Sequence, residues 1–325
     1  MKRLGRALLI VLGIVVLFLC GGLAYLFLAF PKVGPAREMA VDATPGRIER
    51  GRYLANHVTV CVDCHSKRDW RYYSGPVVPG TEGQGGERFG HELGFPGEIF
   101  SANITPARLT EWTDGEIARA ITEGVSRDSR AFFPVMPYPS YASLCEEDLA
   151  SIVAFVRTIP PIPNEVPPTK LDFPLNFIVR TIPKPATPGP CPDTADPQAY
   201  GKYLTTVGGC GDCHTPQINH KPAPGMEFAG GFEFPVPGGV VRSANITPET
   251  ETGIGSWNLG AFIARFRGVS PEKVRAMELE AGDMNTVMPW SMYAGMTDQD
   301  LGAIFAYLRT IPPVKNKVNP FTKAS

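Results

Sequence analysis

Cys61-Val62-Asp63-Cys64-His65 and Cys210-Gly211-Asp212-Cys213-His214 decide how this chain is read. Both spell C-x-x-C-H. That spacing attaches a c-type haem: each cysteine adds across a vinyl group of the macrocycle to give a thioether, and the adjacent histidine lies under the iron as an axial ligand. In a chain of this composition one match is expected by chance on the order of 0.002 times, so two are not coincidence. The competing reading is a pair of CxxC redox or zinc motifs with incidental histidines. A zinc site would need its pairs brought together, and a redox motif would not need the histidine.

Working outward, the flanks of the two motifs recur. Gly51-Arg52-Tyr53-Leu54 precedes the first and Gly201-Lys202-Tyr203-Leu204 the second. Ser101-Ala102-Asn103-Ile104-Thr105-Pro106 matches Ser243-Ala244-Asn245-Ile246-Thr247-Pro248 without a change. Val135-Met136-Pro137 matches Val287-Met288-Pro289, and Arg157-Thr158-Ile159-Pro160-Pro161 matches Arg309-Thr310-Ile311-Pro312-Pro313. The order is the same in both copies, the mark of a tandem duplication. Two small domains with one covalently bound haem c each follow from it.

Three helical stretches are expected per domain. The first leads into the haem motif. The second begins at Thr113 with Glu116 three residues on, a capping box, and can close at Gly124. Its counterpart carries Phe262, Ile263 and Phe266 and ends at Gly268. The third has Leu149, Ile152, Val153 and Val156 at helical spacing, and Leu301, Ile304, Phe305 and Leu308 repeat it. Gly51 and Gly201 would let the first helix cross the last closely; otherwise each glycine merely weakens its helix by about 1 kcal/mol. The fold class is therefore all-α.

Leu8 to Phe30 carry no charge and follow Lys2, Arg3 and Arg6. As a helix this stretch rises about 34 Å, enough to cross a hydrocarbon core of about 30 Å. A cleaved signal peptide competes, but its apolar region is about 7–15 residues and ends in a small-residue cleavage site, and no good A-x-A site follows. Cys20 suggests a lipoprotein, against which stands the large Leu19 before it. The basic residues ahead of the span put the N-terminus in the cytoplasm, with Lys32 and Arg37 weakening the bias. Since haem is attached outside the cytoplasm, the expectation is a single-pass protein of the bacterial inner membrane with its haem domains in the periplasm.

The expected organisation is an anchor and stalk over 1–45, a first haem domain over 46–163, a connector over 164–194, and a second haem domain with C-terminal tail over 195–325. Eleven prolines from Pro160 to Pro192 stiffen the connector. Its apolar residues Leu171, Phe173, Leu175, Phe177, Ile178 and Val179 are expected to pack over the domain junction. Of the seven cysteines, Cys145 and Cys191 are left over; they are either a disulfide or two unrelated thiols. A net charge of −1 gives no basic field for a nucleic-acid partner.

His65 and His214 are the expected fifth ligands of the irons. Met136 and Met288, each between Val and Pro, are the expected sixth. A thioether favours reduced iron and raises the potential relative to bis-histidine ligation. Met284, Met292 and Met296 compete at the second site, and His57, His91 and His220 offer a bis-histidine alternative. Asn103, Asn245, Thr105 and Thr247, with Trp112 and Trp257, either bind haem propionates or build a structural turn. Arg127 and Arg130 either pair with propionates or solvate a loop.

Asn245-Ile246-Thr247-Pro248, Thr252-Gly253-Ile254-Gly255 and Trp257 resemble the pattern of the multihaem cytochrome c subunits of membrane-bound alcohol and gluconate-type dehydrogenases. Gly124-Val125, Arg127-Asp128, Arg130 and Pro134-Val135-Met136-Pro137-Tyr138 resemble their methionine loop. The resemblance covers nearly everything after residue 46. It implies two tandem class I cytochrome c domains behind one transmembrane helix. It also implies electron transfer from a dehydrogenase or quinol-oxidising complex to a downstream acceptor, a terminal oxidase or soluble cytochrome. Those subunits usually carry three haems, against two motifs here. The first N-I-T-P lacks T-G-I-G, and the second methionine loop lacks R-D-x-R. The expected role is an electron carrier rather than an enzyme, since an iron filled on both axial sides has no open position. The alternative is a dihaem redox enzyme of the peroxidase or thiosulfate dehydrogenase type, with Cys145 or Cys191 as an unusual ligand.

Overall fold

A computed structural model describes residues 2–324; Met1 and Ser325, the outermost ends of the expected anchor and second domain, lie outside the described residues. Helix α1 (Lys2–Ala29) is apolar beyond its first basic residues, is exposed over most of its length, and is long enough to cross a bilayer.

Beyond it, the two halves of the chain repeat one order of elements. The first half runs α2 (Pro45–Tyr53), α3 (Cys61–Cys64), α4 (Asp114–Glu123), α5 (Tyr138–Tyr141) and α6 (Glu146–Val156). The second half runs α7 (Pro197–Val207), α8 (Cys210–His214), α9 (Leu259–Arg267), α10 (Trp290–Tyr293) and α11 (Asp298–Leu308). Thr113 caps α4 reciprocally with Glu116, and Gly124 closes it in the left-handed region. Each first helix packs on the last helix of its own half, α2 on α6 and α7 on α11. The glycines carry that crossing: a Cβ on Gly51 would stand 1.8 Å from the Ser151 carbonyl oxygen, and one on Gly201 1.9 Å from that of Ala303. Leu54, Leu149 and Ile152, with Leu204, Leu301 and Leu308, are buried around these crossings and belong to one continuous core.

The copies differ by one residue ahead of the motif. Cys61 lies ten positions after Gly51, whereas Cys210 lies nine after Gly201. The extra residue is taken up in a π turn over Leu54–Val58, where Thr59 N–H bonds five residues back to Leu54. A single inserted residue in a helix takes this form.

The all-α expectation is corrected. Each half also carries a small antiparallel sheet. In the first, β1 (Arg88–Phe89) pairs with β2 (Gly97–Phe100), and β2 with β3 (Lys170–Leu171). In the second, β4 (Glu233–Val236) pairs with β5 (Gly239–Arg242), and β5 with β6 (Phe321–Lys323). These strands are two to four residues long, too short for an alternating pattern to register. In each sheet the third strand arrives from beyond the last helix.

The connector runs along the first half. Leu171 pairs with Gly97, Ala186 N–H donates to Glu123, and Cys191 is disulfide-bonded to Cys145, their Cα atoms 4.9 Å apart. The expected packing of its apolar residues over the domain junction is also corrected: Phe177 lies against Phe27 at the end of α1. The junction is made by helices instead, α5 against α7 and α10 against the π turn.

Candidate functional site

Each motif folds as one helical turn behind a left-handed residue, Val60 in the first half and Gly209 in the second. The turn puts both cysteines of a motif on one short helix with the histidine at its end. A tyrosine, buried in the first half and partly buried in the second, fixes the entry: Tyr141 donates to the Thr59 carbonyl at 2.5 Å and Tyr293 to that of Gly208 at 2.8 Å.

The histidines are held identically. His65 Nδ1 lies 2.7 Å from the Ala102 carbonyl, and His214 Nδ1 lies 2.7 Å from that of Ala244. Burial lowers the pKa of both imidazoles. A neutral ring whose Nδ1–H is spent on a carbonyl offers its Nε2 lone pair outward, the form a metal ligand needs.

That carbonyl belongs to the residue before each N-I-T-P, and the repeat explains its placement. Asn103 Oδ1 accepts from the N–H of Thr105 at 2.9 Å, while its Nδ2 donates to the Ile162 carbonyl at 2.8 Å. Asn245 does the same with Thr247 at 3.0 Å and Val314 at 2.8 Å. The asparagines build a turn, and the turn presents Ala102 and Ala244 to the histidines. The two alanines were missed from the sequence because a backbone carbonyl carries no residue-type signal; the invariance of Ser-Ala-Asn between the copies was the available clue.

The thiols lack the lowered pKa of a redox pair, and among the described residues neither motif joins a cluster of three metal-ligating groups. Reactive CxxC cysteines have lowered pKa values, whereas burial pushes Cys64, Cys210 and Cys213 up to about 12. Cys213 is nevertheless reached by solvent. Among the described residues, the sole cluster of three metal-ligating groups is Cys145, Asp148 and Cys191, whose sulfurs are already bonded to each other. Neither cysteine is therefore free to serve as the unusual haem ligand of the enzymatic alternative. Two protonated thiols and one neutral imidazole per motif fit thioether attachment and axial ligation.

Met136 and Met288 are half-buried at matching places. Each carbonyl accepts from the N–H two residues on, Tyr138 at 2.7 Å and Trp290 at 2.8 Å, so each methionine leads into α5 or α10 in the same way. The competitors are placed otherwise. Met292 and Met296 are buried in the core, and Met284 is exposed. His57 Nδ1 is spent on the Met292 carbonyl at 2.8 Å, His91 faces Asp172 at 2.8 Å, and His220 is exposed. Arg127 pairs with Glu111 at 2.9 Å, and Arg130 lies over the Phe132 ring.

The departures from the repeat turn out to meet. The first half has 20 positions from His65 to Gly85 against 16 from His214 to Gly230, and the second has 20 from Gly268 to Met288 against 12 from Gly124 to Met136. The two longer loops pair across the halves: Tyr73 N–H donates to the Met277 carbonyl at 3.0 Å and Leu279 N–H to that of Arg71 at 2.9 Å. Arg68 anchors the first of them. Buried, it donates to the carbonyls of Ser74 and Gly75, pairs with Asp63 at 3.1 Å and lies over Trp70 at 4.0 Å. At the equivalent position Asp212 accepts from Ser140 of the other half at 2.7 Å.

No protein-family model matches the chain. Over 307 residues, 89% of this chain, it is 29% identical to the cytochrome c subunit of an alcohol dehydrogenase (quinone) from Gluconacetobacter polyoxogenes, and it spans 61% of that protein's length. The cytochrome subunit of a fructose dehydrogenase from Gluconobacter japonicus is 29% identical over 298 residues, 86% of this chain and 56% of that protein. A dihaem cytochrome c-type protein from Cereibacter sphaeroides is 30% identical over 315 residues, 92% of this chain and 97% of the relative.

Proposed function

The chain belongs to the family of dihaem c-type cytochromes, and from that premise we propose a membrane-anchored two-haem relay. Its role is electron transfer, in keeping with relatives that are cytochrome subunits of dehydrogenases. In this reading, Cys61 and Cys64 tether one haem c, and Cys210 and Cys213 the other. His65 with Met136, and His214 with Met288, would hold the two irons. When bound, each haem would supply a reversible one-electron couple.

The protein's part is to orient and protect. The carbonyls of Ala102 and Ala244 lock the ring tautomer and keep the histidines basic towards iron. The observation that carries the proposal is this pair of matching 2.7 Å contacts on motifs that otherwise differ in loop length. The haem domains take the ranges 46–163 and 195–325, with 164–194 connecting them. The span α1 holds both on the periplasmic face. The upstream partner is a dehydrogenase or quinol-oxidising complex, and the downstream acceptor a terminal oxidase or soluble cytochrome.

Carbon monoxide tests the ligation. The reduced protein is expected to bind none without denaturant, whereas Met136→Ala and Met288→Ala each open one haem to it. Rapid binding by both haems of the unaltered protein contradicts the proposal.

A further inference from the structure

The last carbonyls of a helix have no partner within it. At the end of α1 a residue of the connector supplies one. Arg180 Nη2 donates to the Phe30 carbonyl at 2.6 Å and to that of Phe27 at 3.3 Å, and its guanidinium lies 5.0 Å from the Phe27 ring centroid. A cation here also complements the negative end of the helix dipole. Arg180 thus holds the turn Leu175–Ile178 level with the helix end.

That turn carries apolar surface. Phe173 is 81% exposed and Ile178 44%. Phe173 meets Phe177 edge-on at 6.2 Å, and Phe177 meets Phe27 at 6.0 Å, so a chain of rings joins the turn to the span. On the span, Phe27 and Leu28 are exposed too. The apolar surface is therefore continuous from the wall of α1 onto 173–178, and what covers the one reaches the other. Cations flank it: Arg180, the exposed Lys184, and Lys32, whose ammonium lies 5.1 Å from the Phe30 ring centroid. Asp172, the neighbouring acid, is paired with His91.

We propose that the segment 173–181 lies in the lipid–water boundary beside α1 as a second membrane contact, setting the height and tilt of the haem-bearing halves over the bilayer. The proposal rests on reading α1 as an uncleaved span. Interfacial elements of this kind bury their apolar side about 5–10 Å into the headgroup region while their cations stay with the phosphates. The stalk is itself fastened to the first half, Val41 N–H donating to Asp114 at 2.9 Å and Arg37 pairing with Glu146 at 2.8 Å, so a second membrane contact beside α1 fixes the orientation of that half to the membrane plane.

Site-directed spin labelling of the full-length, haem-loaded protein tests this in vesicles of phosphatidylethanolamine and phosphatidylglycerol. In a Cys20→Ala background, single labels are placed through Phe173→Cys, Ile178→Cys, Phe18→Cys and Ile218→Cys, with the haem spectrum as the check on folding. Collision with oxygen against a nickel chelate reads immersion. At 173 and 178 the oxygen-to-chelate ratio is expected severalfold above that at 218 and towards that at 18. Values at 173 and 178 equal to 218, with 18 immersed, overturn the proposal and leave the span standing. An aqueous signal at 18 overturns the span and the proposal with it. Shielding from both probes that arises only in native membranes indicates a protein partner and overturns the lipid assignment.

Discussion

Ser74 of the first half donates its hydroxyl to the carbonyl of Met288 in the second at 2.6 Å. Ser74 Oγ in turn accepts from Trp290 N–H at 3.1 Å, and Ser74 N–H donates to Asn285 Oδ1 at 2.8 Å. Ser74 is wholly buried. The loop bearing one candidate iron ligand is therefore fastened by the other half, through two loop extensions that have no counterparts in the repeat.

Ser74→Ala removes both side-chain bonds and leaves Trp290 N–H as the remaining donor to the Met288 carbonyl, at a cost of about 0.5–1.5 kcal/mol for each bond lost. The loss is expected at Met288 and not at Met136. Denaturant titration of the long-wavelength charge-transfer band of thioether-ligated ferric haem should show half of its amplitude vanishing earlier in the variant. A band that shifts as one unit, or not at all, contradicts the assignment.

The junction also exchanges a reciprocal pair of bonds. Tyr53 donates to Asp300 at 2.7 Å, and Tyr203 to Asp148 at 2.7 Å. Asp148 additionally holds Arg50 through both carboxylate oxygens, whereas Tyr53 is the one side chain donating to Asp300 among the described residues. Tyr53→Phe should therefore destabilise more than Tyr203→Phe, by about 1–3 kcal/mol for the former. Equal midpoints in urea for the two variants would show that the second donor to Asp148 is without effect.

Gly201→Ala places a Cβ 1.9 Å from the Ala303 carbonyl oxygen, which is backbone and has nowhere to go. Overpacking of this kind costs about 1–3 kcal/mol, and more where the neighbour is backbone that cannot yield. The variant should mature with the first haem alone, read from haem content per chain; full occupancy of both sites would mean that α7 and α11 cross less closely than described.

His57 gives the junction a pH dependence. Burial against the second half lowers its pKa, and the bond to the Met292 carbonyl opposes this only in part. The unfolded chain, with an ordinary value of about 6.5, therefore binds the proton first, so the contribution is whole above that pH and is lost as pH falls below it. His57→Gln, which keeps a donor and cannot titrate, should flatten the acid side of the stability curve relative to the unaltered protein. Parallel curves for the two proteins would remove His57 as the cause.

Much of this was legible in the sequence because it is local. The capping box at Thr113, the stop at Gly124 and the close crossings at Gly51 and Gly201 each follow from a few neighbouring residues, and the structure shows them. What escaped is non-local. The third strand of each sheet arrives after the last helix, at Lys170 and Phe321, and pairing over such separations leaves no periodic trace. The missing R-D-x-R before Met288 read only as a departure, whereas the extension there reaches across to Tyr73. Ala102 and Ala244 act through carbonyls, which every residue has. The Cys145–Cys191 disulfide depended on a distance between chain segments that no spacing reveals.

The central claim is that each C-x-x-C-H carries its own thioether-bound haem. Intact-mass measurement of the mature, membrane-extracted chain under denaturing conditions tests it most directly. The account predicts the polypeptide plus the mass of two haems, falling by one haem in Cys61→Ala/Cys64→Ala and by the other in Cys210→Ala/Cys213→Ala. A chain without added porphyrin mass, or with one haem indifferent to which motif is removed, would contradict it.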